Sequence, residues 1–480
     1  MNGIHTFARW PVLAIAAVAG VVLLLTSGRY GHGFDEAYFL VAGRDHLNWG
    51  YFDQPPLIPL LAGGLDSLFP GNLVVLRLPM TLAAMGGIVV TALIARELGG
   101  RRAAQVMAAA AYACSSALIM SHWIATYALD PVLWTVIVWL VVRWVRVRDD
   151  RLLLLAGVVT AISLQTKFLI PAFWVLLALS ALVLGPRDLL RRPMLWAGAA
   201  IAVAVTIPNL VWQARNGWPY AHMNEVVKAE FPGVVPFLRD GLLGAGVGIG
   251  VLAFLYGLWR LLRSPDLRPY RFLGVTMIAL IVAFLLAQGR SYYLIGIYAL
   301  PFAAAAAELE RRRLVRWWKA VAWPAFVLSA VVTVAALPIY PASTVDKLPT
   351  SFGIVTLGTS FAGGELPVAQ LAETVDGIWA SMPPEERAHT AVYAEIYPFA
   401  AAVERDGRAH GIDRVYSGHR GYWYFGAPPE SADSVLFFGF DPGLLKPHFA
   451  TMTPVVDGLV WRYTGKLAPW KQIWPLLKRQ

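Results

Sequence analysis

From Trp10 to Leu337 the chain is an almost continuous succession of apolar runs, and this constrains its fold more than any other feature. The runs are Trp10–Thr26, Leu73–Leu98, Ala103–Met120, Ala128–Val145, Leu152–Phe168, Leu169–Leu184, Met194–Trp212, Phe237–Leu262, Phe272–Ala287, Tyr292–Ala307 and Trp318–Leu337. Most approach the ~20 residues that cross hydrocarbon as a helix. Strands of a membrane barrel read instead as short alternating segments, so unbroken runs such as Val12–Thr26 and Leu152–Ser163 argue against one. The composition agrees: 58% of residues are hydrophobic and 15% charged, against roughly 25% charged in a soluble domain. No single water-soluble core hides that much apolar surface. The expectation is an all-α polytopic membrane domain over residues 1–337, with about eleven transmembrane helices.

The net charge of +10 is distributed, not clustered in one patch. Basic residues concentrate in alternate connections: Arg96, Arg101 and Arg102; Arg143, Arg146, Arg148 and Arg151; Arg187, Arg191 and Arg192; Arg260, Arg263, Arg268 and Arg271; then Arg311, Arg312, Arg313 and Arg316. The positive-inside rule makes this set cytoplasmic. The pattern accounts for the basic excess without nucleic acid as a partner. It implies a multi-pass protein of the bacterial inner membrane with a cytoplasmic N-terminus. The first run has no clear small-residue cleavage site and reads as a retained anchor. Cys114 is the lone cysteine, so neither an internal disulfide nor a cysteine zinc site can form.

After Pro338 charged and turn residues rise and apolar runs shorten. With eleven spans this tail is extracytoplasmic. Residues 338–480 read as a small α/β domain, with strands near Thr390–Tyr393, Arg414–Tyr416 and Ser434–Phe440 and helices over Glu385–Thr390 and Tyr397–His410.

The polar residues able to carry chemistry gather in the opposite, less basic connections. The first of these, Ser27–Asn72, holds Asp35, Glu36, His46, Tyr51 and Asp53, with two stretches of helical apolar spacing, Glu36–Leu47 and Pro55–Phe69, expected to lie at the interface. Asp130, Lys167, Gln213, Arg290, Tyr292 and Tyr293 stand at the ends of later runs. Each has an ordinary structural explanation as well. Acids favour a helix N-terminus, Asp53 precedes a Gln-Pro-Pro turn, and Asp130 precedes a proline that suits the first turn of a helix. Lys167 can snorkel from a helix end, and the tyrosines suit an interfacial belt. His32, His46 and His122 match no compact zinc spacing.

Taken together, the set suits sugar transfer from a lipid phosphate. An acceptor hydroxyl needs a base, which a carboxylate supplies. A phosphate leaving group is already anionic and needs cations more than a proton. Lys167 and Arg290 are the candidates, Arg gripping phosphate through two donors and Lys acting as a point charge. A lipid or sugar transporter is the competing class; it would carry polar groups at mid-membrane on broken, repeated helices. A non-catalytic scaffold presenting the tail is a third.

Several motifs carry a resemblance: Asp35-Glu36-Ala37-Tyr38, Gly50-Tyr51-Phe52-Asp53-Gln54-Pro55-Pro56, Leu76-Arg77-Leu78-Pro79, Gln165-Thr166-Lys167-Phe168, Pro208-Asn209-Leu210-Val211-Trp212-Gln213 and Gly289-Arg290-Ser291-Tyr292-Tyr293-Leu294. In this order they resemble the membrane glycosyltransferases of the C-type fold, most closely the family-39 group of protein O-mannosyltransferase-like and aminoarabinose-transferase-like enzymes. The resemblance implies an inverting transfer on the outer face from a polyprenyl-phosphate sugar to a lipid, glycan or protein acceptor. It implies Asp35 as the catalytic base, Glu36 as its acidic partner, and Lys167 and Arg290 near the donor phosphate. His46, Tyr51, Asp53, Asp130, Gln213, Tyr292 and Tyr293 are expected to contact substrate. No cofactor is required by the sequence, although some fold relatives use a divalent cation. The segment Val415–Trp423 is a turn-rich aromatic cluster that suits a lid on the acceptor side, or ordinary surface packing.

Overall fold

The computed structural model describes residues 4–312, 316–345 and 353–479. Arg313, one of the expected cytoplasmic cations, lies outside them. The membrane part begins with α1 (Arg9–Ser27), followed by the two short helices α2 (Phe34–Asp45) and α3 (Leu57–Leu68). Then come α4 (Leu73–Glu97), α5 (Arg102–Ala113), α6 (Ser116–Met120), α7 (Thr126–Val147), α8 (Arg151–Leu164), α9 (Ile170–Leu184) and α10 (Pro193–Arg215). It continues through α11 (Pro219–Ala229), α12 (Val234–Gly244), α13 (Ile249–Arg263), α14 (Arg271–Leu286), α15 (Ala299–Arg311) and α16 (Arg316–Ala335).

The apolar runs fold as helices, but not as eleven uniform spans. Five helices are long and apolar enough to cross a membrane alone, or up to seven if two bent pairs each count as one, among the described residues. The expected span Phe237–Leu262 is two helices, α12 and α13, at 101° to each other. Gly246 and Gly248 sit at the bend with φ of +113° and +77°, a region that a Cβ disfavours. Ala103–Met120 is likewise divided into α5 and α6, with Ser115 capping α6 through its hydroxyl.

The tail holds α17 (Ala342–Val345), α18 (Gly353–Ser381), α19 (Pro384–Ala388), α20 (Tyr397–Asp406) and α21 (Trp470–Ile473). Its sheet comprises β1 (Thr390–Ala394), β2 (Val415–Tyr416), β3 (Ser434–Phe438), β4 (Phe449–Val456) and β5 (Val460–Lys466), in the order β2-β1-β3-β5-β4. β2, β1 and β3 are parallel, with Val392 beside both Val415 and Leu436; β5 and β4 are antiparallel additions. The period of two splits β1 and β3 between two cores. Val392, Ala394, Leu436 and Phe438 face one; Ala391, Tyr393, Val435 and Phe437 face the other, with Trp470 and Trp474.

The first of these cores is not confined to the tail. It is continuous with Tyr38, Leu40 and Val41 of α2, Ile58 of α3 and Val368, Leu371 and Val375 of α18. The sheet unit is therefore docked on the first loop of the membrane part, and helix α2 sits between the two. Its other neighbour, α3, approaches at backbone contact. A Cβ on Gly43 would lie 1.7 Å from the Pro59 carbonyl oxygen, and one on Gly63 would lie 2.3 Å from the Gly43 carbonyl carbon.

That contact predicts a contrast. Gly43→Val and Gly63→Val should each lower the thermal midpoint sharply or prevent recovery of folded protein. Gly64→Ala, where a Cβ meets nothing within 4 Å, should be neutral or slightly stabilising, by up to about 1 kcal/mol. Thermal unfolding of the detergent-solubilised variants checks both.

Candidate active site

The start of α2 is fixed by a buried charge cluster. Glu36 accepts from the Gly33 amide at 3.2 Å, which ties down the first turn. Its two oxygens take a forked pair of bonds from Arg77 of α4, Nε at 3.0 Å and Nη2 at 2.7 Å, and Oε1 also accepts from the Ile124 amide at 3.1 Å. Arg77 donates in addition to the carbonyls of Ser27 and Gly31, each at 2.7 Å, and to His122 Nε2 at 2.9 Å. Glu365 of α18 lies 3.5 Å from Arg77 and accepts from the Trp123 indole. All four charged or titratable side chains of this cluster are buried. Burial pushes Glu365 up to about 8, and burial and then Arg77 hold His122 down to about 2. Burial thus favours the neutral forms of Glu365 and His122 and leaves the Arg77–Glu36 pair at the centre of the cluster.

With Glu36 turned into this clamp, the adjacent Asp35 lines a cavity of about 520 Å³. Asp35 Oδ1 accepts a 2.5 Å bond from the Tyr397 hydroxyl, at the first turn of α20. Asp53 lines the same cavity and accepts from Tyr38 at 3.1 Å. Burial, then the charge of Asp35, raises Asp53 to about 6 against the pull of Arg420.

The cations come from the connections between later helices. Lys167, between α8 and α9, holds its ammonium 4.7 Å and 4.6 Å from the ring centres of Tyr292 and Tyr293 and 3.4 Å from the Tyr292 hydroxyl. Both ring faces are electron-rich and attract the cation. Arg290 donates to the same hydroxyl at 3.1 Å and to Glu230 through Nε at 3.1 Å. The other oxygen of Glu230 takes Arg420 of the tail at 2.7 Å. Burial alone would raise Glu230; its bonds to Arg290 and Arg420 bring it below the usual carboxylate range.

The structure thus brings Asp35, Asp53, Lys167, Arg290, Tyr292 and Tyr293 together in one cavity. Asp130 lies one layer below, in a small void beside Lys167, bonded to Ser163 at 2.6 Å. Besides Asp130, four expected site residues do not line the cavity. Glu36 is consumed by the Arg77 clamp. His46 stacks on Phe425, with ring centres 4.0 Å apart, and lies 3.2 Å from Glu404. The Tyr51 hydroxyl bonds the Ala42 carbonyl at 3.2 Å, and Gln213 ties the Tyr51 carbonyl at 2.9 Å to the Tyr220 amide at 3.0 Å. These residues build the walls.

Sequence reasoning did not single out Tyr127, Tyr220, Glu230 or Tyr397 as site residues, and placed Arg420 only in a candidate lid. Tyr397 and Arg420 follow the carboxyl ends of β1 and β2, where open parallel sheets present their crevices. Arg420 also adopts a left-handed φ of +49°, a conformation that concentrates at functional sites. Among the described residues no three His, Cys, Asp or Glu side chains converge at metal-ligand spacing.

Residues 53–212 match the family described as dolichyl-phosphate-mannose-protein mannosyltransferase. No curated protein sequence matches the chain. Among solved structures, ArnT from Cupriavidus metallidurans in the apo state superimposes with a TM-score of 0.62 at 18% identity, over 94% of this chain and 97% of that one. The same protein bound to undecaprenyl phosphate gives 0.57, with the same identity and coverage. The archaeal oligosaccharyltransferase AglB from Archaeoglobus fulgidus, in complex with an inhibitory peptide and a dolichol-phosphate, gives 0.53 at 12% identity over 96% of this chain and 75% of that one. The chain has the fold of the C-type membrane glycosyltransferases. The matched stretch 53–212 carries Asp53, Asp130 and Lys167, whereas Asp35 and Arg290 lie outside it.

Asp53 gives a pH test with a definite sign. Its carboxyl binds a proton more tightly folded than unfolded, so the contribution of Asp53 to stability is greatest below about pH 4 and falls as pH rises through about 6. The penalty at pH 7.5 is on the order of 3 kcal/mol at most, from a shift of about two units. Asp53→Asn keeps an acceptor for Tyr38 and removes the charge. It should melt higher than wild type at pH 7.5, and the gain should vanish by about pH 4.

Proposed function

We propose that the protein is an integral-membrane glycosyltransferase that moves a sugar from a polyprenyl-phosphate-linked donor to an acceptor hydroxyl, with inversion at the anomeric carbon. The observation that carries this reading is a single cavity lined by the Asp35 carboxylate and by the cations Lys167 and Arg290. Asp35 takes the proton of the acceptor hydroxyl. The oxygen attacks the anomeric carbon from the face away from the phosphate, and the bond from that carbon to the phosphate oxygen breaks. Lys167 and Arg290 stabilise the departing phosphate, and Tyr292, bonded by both, aligns them. Asp53 and Tyr293 orient sugar or acceptor from the same walls. The chemistry so written calls on no metal, and adding or chelating a divalent cation in the transfer assay tests that directly.

We place the site on the extracytoplasmic face of a bacterial inner membrane. Two observations support this. The arginine-rich connections are those away from the cavity. The tail packs on α2, the loop after the first helix, so both share a face, as an odd number of crossings near eleven requires. That face lies away from nucleotide sugars, which favours a lipid-linked donor. The acceptor is a lipid, a glycan or a protein. The transporter reading is less well supported, because the cavity's charged groups come from helix ends and connections, not from helix centres.

Two results are expected. Purified Asp35→Asn should bind polyprenyl phosphate as wild type does but lose roughly 10³-fold or more in transfer rate. Transfer at the wild-type rate would remove Asp35 as the base. Lys167→Ala and Arg290→Ala should each weaken polyprenyl phosphate binding about 10-fold or more; unchanged affinity would remove the phosphate site.

A further inference from the structure

A second cavity, of about 860 Å³, opens beside Asp35. Asp35, Tyr127, Tyr397 and Arg420 line both cavities and so form the partition between them. The two differ in chemistry. The first holds Lys167, Arg290 and Glu230. In the second, among the described residues, the only Asp, Glu, Lys or Arg side chains are Asp35 and Arg420, both in the partition. Its remaining walls are largely apolar: Phe34 of α2, Trp123, Val368 and Leu371 of α18, and Phe399 and Phe440 of the tail.

We infer that this second cavity receives the acceptor, and that the acceptor is a lipid-type molecule carrying its hydroxyl on an apolar body. The inference rests on the glycosyl-transfer reading. A base serves such a reaction only from between the two substrates. Asp35 stands there, its Oδ1 held by Tyr397 at 2.5 Å. A hydroxyl entering from the second cavity meets the carboxylate that lines the first. The walls choose among acceptor classes. A free sugar would set most of its hydroxyls against Phe34, Val368, Leu371 and Phe399, which offer no partners and so disfavour it. A glycolipid bearing several phosphates would find one Lys or Arg among the described residues, Arg420, already paired to Glu230 at 2.7 Å. An apolar body is matched by the walls, with Gln370, Thr374 and His419 as the hydrogen-bonding positions outside the partition, His419 already accepting from the Tyr397 amide. The tail, α18 included, supplies most of this cavity's lining, so acceptor choice resides mainly in the tail, whereas Lys167 and Arg290 stand in connections of the membrane helices.

The test is equilibrium binding to the full chain in nanodiscs, corrected for empty nanodiscs, with four labelled probes. These are 1-monododecanoylglycerol, free glucose, a bisphosphorylated glucosamine disaccharide lipid, and polyprenyl phosphate. The monoacylglycerol should bind saturably. Thr374→Trp, which narrows the cavity, and Phe440→Asp, at an exposed rim position, should weaken it about 10-fold or more with polyprenyl phosphate binding unchanged. Retained polyprenyl phosphate binding also shows that both variants are folded. Equal monoacylglycerol affinity in wild type and variants would overturn the assignment. So would a Thr374-sensitive site for glucose or for the bisphosphorylated lipid. Failure of wild-type protein to bind polyprenyl phosphate would instead remove the donor, and with it the acceptor role of the second cavity.

Discussion

Arg77 has no exposed surface, and a guanidinium so placed is tolerable only when its donors are met. Two bonds to Glu36, two to backbone carbonyls and one to His122 meet them. Breaking such a pair by removing one partner typically costs about 3–5 kcal/mol, because the other charge is left buried alone. The geometry of the site depends on this pair. Glu36 lies at the third position of α2, so fixing its carboxylate against α4 fixes the rotation of the first turn. Asp35 is then directed to the cavity. Two adjacent acids, alike in the sequence, have different positions because only one of them meets an arginine.

The same cluster joins distant parts of the chain. Glu365 comes from α18, and its carboxyl, raised to about 8 by burial, is mostly protonated at neutral pH. It can bond without adding a second negative charge beside Glu36. The tail is thus attached to the first loop both by an apolar core and by the buried cluster around Arg77. The tail supplies Tyr397 and Arg420 to the cavity, and Glu230 bridges Arg420 to Arg290. Membrane helices and tail therefore form one site.

Much of this was legible in the sequence, for identifiable reasons. Apolar runs report helices because lipid leaves the backbone no other partner, and α2, α3, β1, β2 and β3 all fall near their expected places. Asp35, Asp53, Lys167, Arg290, Tyr292 and Tyr293 converge because all stand in connections at one end of the bundle. What the sequence concealed were features set by tertiary geometry. The bend between α12 and α13 depends on backbone angles at Gly246 and Gly248. Helix α18 was missed because Gly358, Gly363, Gly364 and Pro367 dilute its periodicity; its buried Val368, Leu371, Ala372 and Val375 still follow the helical spacing. Arg77 looked like a motif residue without a partner, since Glu36 lies 41 positions away. His46, Tyr51 and Gln213 have the right chemistry for substrate but spend it on the protein.

The account makes the Glu36–Arg77 pair the element that aims Asp35. A double-mutant cycle measures this most directly, with Glu36→Gln, Arg77→Met and the double variant compared by thermal midpoint and by transfer rate. The account predicts strong non-additivity: each single variant loses stability and transfer, and the double variant is no less stable than either single one. Additive losses, or a Glu36→Gln protein with wild-type stability and transfer, would contradict it.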